Sequence, residues 1–210
     1  EIYTVPYTLS LHDALPILCG TALIDVTAEL LRLGVLDVTG RILTPDELPG
    51  SVPGAIRQRI ITRPDGHADF LLVDAADSRT GEPVMLYQRD VRELQLASGA
   101  IRAGVAILLR QAGLGVDDVH EILLAGAFGN FIRRSNARRI GLLPPLPTSK
   151  IRFIGNASSL GAKIVLLSKD CRQMAEAIAA KAEHVDLSSD PEFQAEFSLA
   201  MLFPEDDADA

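Results

Sequence analysis

The chain has no tryptophan, and aromatic residues of every kind make up only 5% of its 210 positions. A core built from it must rest on Leu, Ile, Val and Ala, within an apolar share of 48% that is ordinary for an α/β domain. The length allows one good core, or one and a half small ones. Cysteine is nearly absent. Cys19 and Cys171 are too few to frame a disulfide scaffold or a metal knuckle, so the expectation is buried thiols in a reducing compartment. His67, His120 and His184 stand apart from one another, which leaves no metal-spaced cluster and places all three at the surface. No apolar run reaches the length of a membrane span, so the chain reads as soluble and cytoplasmic, with no membrane partner. Basic residues are outnumbered 20 to 28, and the net charge of −8 speaks against nucleic acid as a partner. Locally, Arg133, Arg134, Arg138 and Arg139 form a cluster that could hold one phosphate. Two signatures are also missing: GxxxxGK[ST], which excludes a P-loop, and GxGxxG, which excludes a dinucleotide fold of that type.

The first seventeen residues, EIYTVPYTLSLHDALPI, differ in style from the rest of the chain. They have neither the basic start nor the small-residue cleavage site of a signal peptide. Back-translated, the segment matches a common short-read sequencing adapter, with Val5 and Pro6 falling where the sample index sits. The expectation is therefore a segment over 1–17 that is not native protein, preceding a gene truncated at Leu18. On this reading His12 and Asp13 carry no chemistry.

From Leu18 the pattern becomes protein-like. Leu23, Val26, Thr27, Leu30, Leu31 and Leu33 recur at helical spacing, and Gly34 is the natural stop. The stretch from Asp37 to Arg59 is rich in proline and glycine and reads as loop. Arg59–Arg63 and Phe70–Asp74 flank Pro64-Asp65-Gly66, a hairpin signal, and Pro83–Tyr87 is a third strand candidate with its register open. Asp69, Asp74 and Asp77, scattered through this region, are expected to be solvated. A long helix comes next, with Asp90 as its cap. Val91, Leu94, Ala97, Ile101, Gly104, Val105, Leu108 and Ala112 form its apolar stripe, and Gly113 its end. A last amphipathic helix covers roughly Cys171–Lys181, and residues 205–210 form an acidic tail expected to be disordered.

One grammatical unit occurs twice. Glu121–Ala125 reads as a strand of the buried type, followed at once by Gly126-Ala127-Phe128-Gly129 and a helix. Ile151–Ile154 is followed by Gly155-Asn156-Ala157-Ser158-Ser159 and a helix to about Leu167. Strand, glycine turn and helix start are how α/β proteins build nucleotide sites. Glycine lets the backbone approach the ligand, and the helix start offers unpaired N–H groups and a partial positive charge. The small residues at 126, 127 and 129 would admit a flat adenosine, with Phe128 and Ile122 as apolar wall. Taken alone, each turn reads more readily as a tight turn of the kind found in any α/β domain.

The combination is more specific. Leu18–Asp25 (LCGTALID), Gln88–Gly104 (QRDVRELQLASGAIRAG), Leu124–Asn130 (LAGAFGN), Ile140–Pro144 (IGLLP) and Ile154–Ala157 (IGNA) resemble, in order, the reductive activators of corrinoid proteins. The closing Ser189-Asp190-Pro191 and Ala200-Met201-Leu202-Phe203-Pro204 resemble that family's C-terminus, so the likeness runs from Leu18 to Pro204. It implies an actin-like ATPase lobe over 18–204, with a ribonuclease-H-like α/β fold in which helices flank a mixed sheet. Members carry a plant-type [2Fe-2S] domain at the N-terminus. They use ATP to return a partner corrinoid protein from inactive Co(II) to Co(I). By the same resemblance, Gly126, Ala127, Phe128, Gly129 and Asn130 would form the adenosine motif, while Gly155 and Asn156 open the hinge helix. Gln95 and Arg102 would be further contacts from the long helix, where an exposed helix residue is the plainer reading of each. ATP with Mg2+ would be shared with a lobe upstream of Leu18, where the [2Fe-2S] cysteines also belong, and a homodimer stays open.

There are departures from the pattern. Ala22 stands where relatives usually have Gly, and Ser158-Ser159 where they have Ala and a longer residue. No catalytic or metal-ligating residue is assigned, and two cysteines are too few to hold an iron–sulfur cluster. A piece of this kind is expected to be inactive alone. Two other readings remain open: a kinase or dehydratase activator of the same superfamily, or a non-catalytic assembly domain.

Overall fold

The computed structural model of the protein describes residues 19–126 and 131–205. The acidic tail beyond Glu205 and the segment expected to be non-native lie outside them.

Helix α1 (Gly20–Arg32) ends where Gly34 takes φ 72°, a left-handed turn that glycine accepts without strain. The loop expected from Asp37 to Arg59 holds one short helix, α2 (Gly54–Arg57), and an isolated bridge pairing Leu36 with Ile42. The hairpin forms as the sequence predicts. β1 (Ile60–Thr62) pairs antiparallel with β2 (Ala68–Val73), with Ile60 opposite Phe70 and Gly66 at φ 82° in the turn. The third candidate becomes β3 (Val84–Leu86), which pairs antiparallel with β2 through a register shift between Leu71 and Val73.

Helix α3 (Gln88–Gln111) corrects the sequence reading twice. Asp90 is not its cap: Tyr87 occupies that position, and Asp90, a turn later, accepts the Tyr87 N–H at 2.9 Å. An acid in the first turn also suits the helix dipole. The buried stripe is rotated too. Ala97, Ile101 and Leu108 face solvent, while Gln95, Ser98, Gly99, Ala103 and Ile107 are buried.

The reason for that rotation is a helix absent from the sequence reading, α7 (Phe193–Ala200), which lies against α3. A Cβ added at Gly99 would stand 3.3 Å from the Ala200 carbonyl carbon and the Met201 nitrogen. Small residues on α3 therefore mark where the C-terminal segment crosses. Arg110 pairs with Glu192 and Glu196 at the far end of the same contact.

The second half holds the doubled unit. β4 (Ile122–Ala125) and β5 (Ile151–Gly155) pair in parallel, Ile122 opposite Ile151. α4 (Arg134–Arg139) connects them, and α5 (Ala157–Leu167) and α6 (Lys169–Ala179) come after β5. The antiparallel and parallel strands thus fall into two small sheets, of three and two strands. β4 is not of the buried type. Ile122 and Leu124 pack on the core, while Leu123 and Ala125 are exposed, because its outer face has no covering layer among the described residues. α5 and α6 bury no residue fully, and Leu160, Leu166 and Leu167 stand in solvent.

The core joins both halves. Ile24, Ala28 and Leu30 of α1 meet Leu36, Ile42, Phe70, Leu86 and Val91 on one side, and Ala137, Ile140 and Ile151 on the other. No helix of the described residues is long and apolar enough to cross a membrane.

Candidate functional site

Parallel pairing of β4 and β5 brings their carboxyl ends to one rim, and each strand delivers a glycine there. Gly126 has φ 96° and Gly155 φ 68°, backbone conformations closed to most side chains. The Gly126 N–H donates to the Gly155 carbonyl at 2.8 Å, so the two turns are locked side by side. A Cβ built on either glycine meets nothing within 4 Å. Among the described residues, then, no side chain occupies the position a Cβ would take at either turn. Ala127, Phe128, Gly129 and Asn130, the rest of the expected adenosine motif, lie outside the described residues.

Asn156 begins α5. Its side-chain oxygen accepts the Ser159 N–H at 3.0 Å, and its carbonyl accepts from Leu160 at 3.1 Å. This caps the helix with its start at the rim, next to Gly155, where the helix dipole concentrates partial positive charge. Beneath the rim an apolar hollow of about 230 Å³ is lined by Leu124, Ala125, Ile132 and Leu142, with Ile101 reaching in from α3. The sequence pattern puts Ile101 in a buried stripe; its exposure lies at this hollow.

Gln95 and Arg102 take other places. Gln95 is 2% exposed, and its amide nitrogen donates to the Thr39 carbonyl at 3.0 Å and the Met201 carbonyl at 2.8 Å. Its oxygen accepts from Arg92 at 2.8 Å. It is neither an exposed helix residue nor presented at the glycine turns. Arg102 is exposed and donates to the Leu202 carbonyl at 3.1 Å, bordering a separate cavity. Both residues tie α3 to the C-terminal segment.

The arginines of the basic cluster have separate described partners. Arg133 pairs with Asp25 at 3.4 Å, and Arg134 donates to the Ile151 carbonyl at 2.9 Å. Arg138 donates to the Leu146 carbonyl at 3.3 Å. Asn136, 3% exposed, reaches Asp25 at 2.7 Å across 111 residues of sequence, a link that no local pattern announces. Asp69 is also a correction: it is buried, paired with Arg63 and accepting the Gln88 N–H at 3.1 Å, whereas Asp74 and Asp77 are exposed as expected. The Asp69 carboxylate holds the Arg63 guanidinium above its ordinary range.

Cys19 is exposed, contrary to a buried thiol. Bonds from the Thr21 hydroxyl and then the Ala22 N–H pull its pKa down. Cys171 is half-buried. His67, His120 and His184 are all exposed, as the sequence implies. No cluster of three His, Cys, Asp or Glu able to hold a metal ion occurs among the described residues.

Comparison with known proteins adds an independent finding. Residues 5–210 match the family described as the C-terminal domain of RACo, the ASKHA domain. The corrinoid activation enzyme RamQ of Eubacterium limosum is 34% identical over 185 residues, covering 88% of this chain and 31% of that protein. The [Co(II) methylated amine-specific corrinoid protein] reductase of Methanosarcina barkeri is 30% identical over 115 residues, 54% of this chain and 21% of that one. Among solved structures, a reductive activator for corrinoid, iron-sulfur protein superposes with TM-score 0.72 at 32% identity, covering 89% of this chain and 28% of that one. The chain thus spans at most about a third of the length of these relatives.

Proposed function

We propose, from the premise that this chain belongs to the family of the C-terminal ASKHA domain of RACo, that its paired glycine turns receive the adenosine end of ATP. The observation that carries this reading is the 2.8 Å bond from Gly126 to Gly155, with no described atom within 4 Å of a Cβ built on either glycine. A flat base fits where a Cβ would otherwise stand, and the α5 start at Asn156 directs N–H groups toward the same rim. Gly126, Gly155 and Asn156 form the described part of the contact set, and Ala127, Phe128, Gly129 and Asn130 would complete it. Gln95 and Arg102 support α3 from behind and are left out of direct contact. Mg2+ and the triphosphate would be shared with residues elsewhere in the full-length protein.

In the full-length protein, this domain would serve the activation of a Co(II) corrinoid protein, by analogy with the names of its relatives, and the reading adds that ATP drives its return to Co(I) in the cytoplasm. A [2Fe-2S] cluster in a separate domain would supply the electron. This chain's residues would position the nucleotide, so that lobe closure favours the complex in which cobalt accepts it. The coupling can be no larger than the nucleotide's preference for the closed state over the open one.

The test is nucleotide affinity of the full-length protein, with Gly126→Val as the variant. Severe loss of ATP binding is the expected result, with the apo protein's melting temperature lowered by the strain of a β-branched residue at φ 96° but its far-UV circular dichroism signal retained. Unchanged ATP affinity in a folded Gly126→Val protein overturns the reading and leaves the loop a simple turn.

A further inference from the structure

The segment 187–204 is held on α3 by a few specific ties and by close backbone packing. No residue of α7 is fully buried, and residues 181–184, which lead into the segment, are exposed. Small residues of α3 make the seat. A Cβ on Gly99 would stand 3.2 Å from the Met201 Cγ, and one on Gly104 3.1 Å from the Leu187 Cδ1. Gln95 and Arg102 donate to the Met201 and Leu202 carbonyls at 2.8 and 3.1 Å. The Phe203 N–H donates to the Val38 carbonyl at 2.8 Å, and its side chain, 3% exposed, anchors the end of the segment in the core. A segment fastened in this way opens at lower free energy than the body it covers.

Two pairs of chain neighbours connect this segment to the hollow beneath the rim. Arg102 holds the Leu202 carbonyl, and Ile101 beside it lines the hollow. A Cβ on Gly141 would stand 3.3 Å from Pro204 and 3.2 Å from the Arg102 guanidinium, and Leu142 beside it lines the same hollow. Within each pair the backbone is shared, so a displacement at the segment reaches a wall of the hollow within one residue. Ile101 belongs to α3 and Leu142 to the turn after α4. The docked segment touches both elements and thereby fixes the spacing of the two walls.

We infer that residues 187–204 act as a clasp whose docking on α3 holds the hollow in its nucleotide-binding shape, so that ATP at the rim and the docked clasp stabilise each other. The inference rests on the adenosine reading above. A ligand that meets a preformed wall loses less free energy in ordering it. Coupling between two binding events acts equally in both directions, so the effect can be read at either end.

Hydrogen–deuterium exchange of the full-length protein, with and without ATP and Mg2+, tests this. Without ATP, the amides of 193–203 should exchange faster than those of β2, through opening of the clasp alone. Saturating ATP should slow clasp exchange by about fivefold or more. Gly99→Leu, which crowds the seat, should speed clasp exchange and weaken ATP binding by about tenfold, with the helical far-UV circular dichroism signal kept. Should that variant fail to fold, Phe197→Ala, which alters the clasp itself, gives the same comparison. The inference alone is overturned if wild-type protein binds ATP with no change in clasp exchange, or if a loosened clasp leaves ATP affinity at the wild-type value. Clasp amides that exchange no faster than β2 overturn it as well. Wild-type protein that binds no ATP overturns both this inference and the adenosine reading.

Discussion

The backbone N–H of Gly126 is bonded to the carbonyl of Gly155 at 2.8 Å, which makes one rim out of two turns separated by a helix and a long connection. Both glycines have positive φ, and a Cβ on either would meet no described atom within 4 Å. The rim's geometry is thus a property of backbone, and substitutions there should act through backbone strain before they act through crowding.

Gly155→Ala tests that statement. With nothing within 4 Å of the added methyl, the cost should be the left-handed conformation alone, about 1–2 kcal/mol. Gly40 is the contrasting site: at φ 80° its added methyl would collide with the buried Gln95 carboxamide, so Gly40→Ala should cost about 1–3 kcal/mol more. Urea denaturation of the two variants reports the difference, and equal costs would disprove the distinction.

Thr27 is fully buried on α1, and its hydroxyl has no hydrogen-bond partner. Thr27→Val keeps the shape and removes an unsatisfied polar group, so stability should rise by about 1 kcal/mol. A higher urea midpoint with an unchanged slope is the expected observation; a lower midpoint would mean that the hydroxyl has found a partner.

Gln95 joins α3 to two distant carbonyls, Thr39 and Met201. Gln95→Leu leaves the Met201 carbonyl without this partner in a site that is 2% exposed, while the Thr39 carbonyl and the Arg92 guanidinium keep their bond to each other. The predicted loss is about 1–3 kcal/mol. Limited proteolysis should then open the segment after Leu187 before the hairpin of β1 and β2. Protection of that segment at the wild-type level would show that the α3–α7 packing holds it without Gln95.

Glu47 accepts from the Arg41 guanidinium at 2.8 Å and from the Thr44 N–H and hydroxyl at 2.9 Å. Together these draw its pKa from 4.5 to about 2, the Arg41 bond contributing most. The Asp186 carboxyl is lowered in the same direction, first by the Ser188 hydroxyl. A carboxyl depressed in the folded state stabilises above its unfolded pKa, and that contribution is lost as pH falls through the folded value. Stability should therefore decline as pH falls from about 4.5 toward 2, and Glu47→Gln should flatten part of that decline. Because the group is fully exposed, salt should weaken the effect. An NMR titration placing the Glu47 carboxyl near its ordinary value would refute this.

How legible each feature is in the sequence depends on how local its signal is. The β1–β2 hairpin is legible because Pro64-Asp65-Gly66 is its own turn chemistry, and Gly34 and Gly113 announce helix ends because both occupy positive φ. α7 escapes, although Phe193 and Phe197 stand one helical turn apart and stack at 5.8 Å. Eight residues after a polar connection carry too little periodicity to stand out. At the candidate site, strand–glycine–helix order marks Gly126, Gly155 and Asn156 as turn and helix-start residues, and the family resemblance singles them out. The bond that couples the first two glycines cannot, because it depends on β4 and β5 pairing in parallel.

Amino-acid order by itself determined most element types, the glycine turns and the family resemblance, since each is written within a few neighbouring residues. Tertiary structure alone decided which faces are buried and which polar groups meet. α7 rotated the stripe of α3, Gln95 became an interior bridge, and Asn136 found Asp25 across 111 residues. Burial depends on what lies across a contact, and a residue's neighbours in space are set by packing, not by its neighbours in the chain.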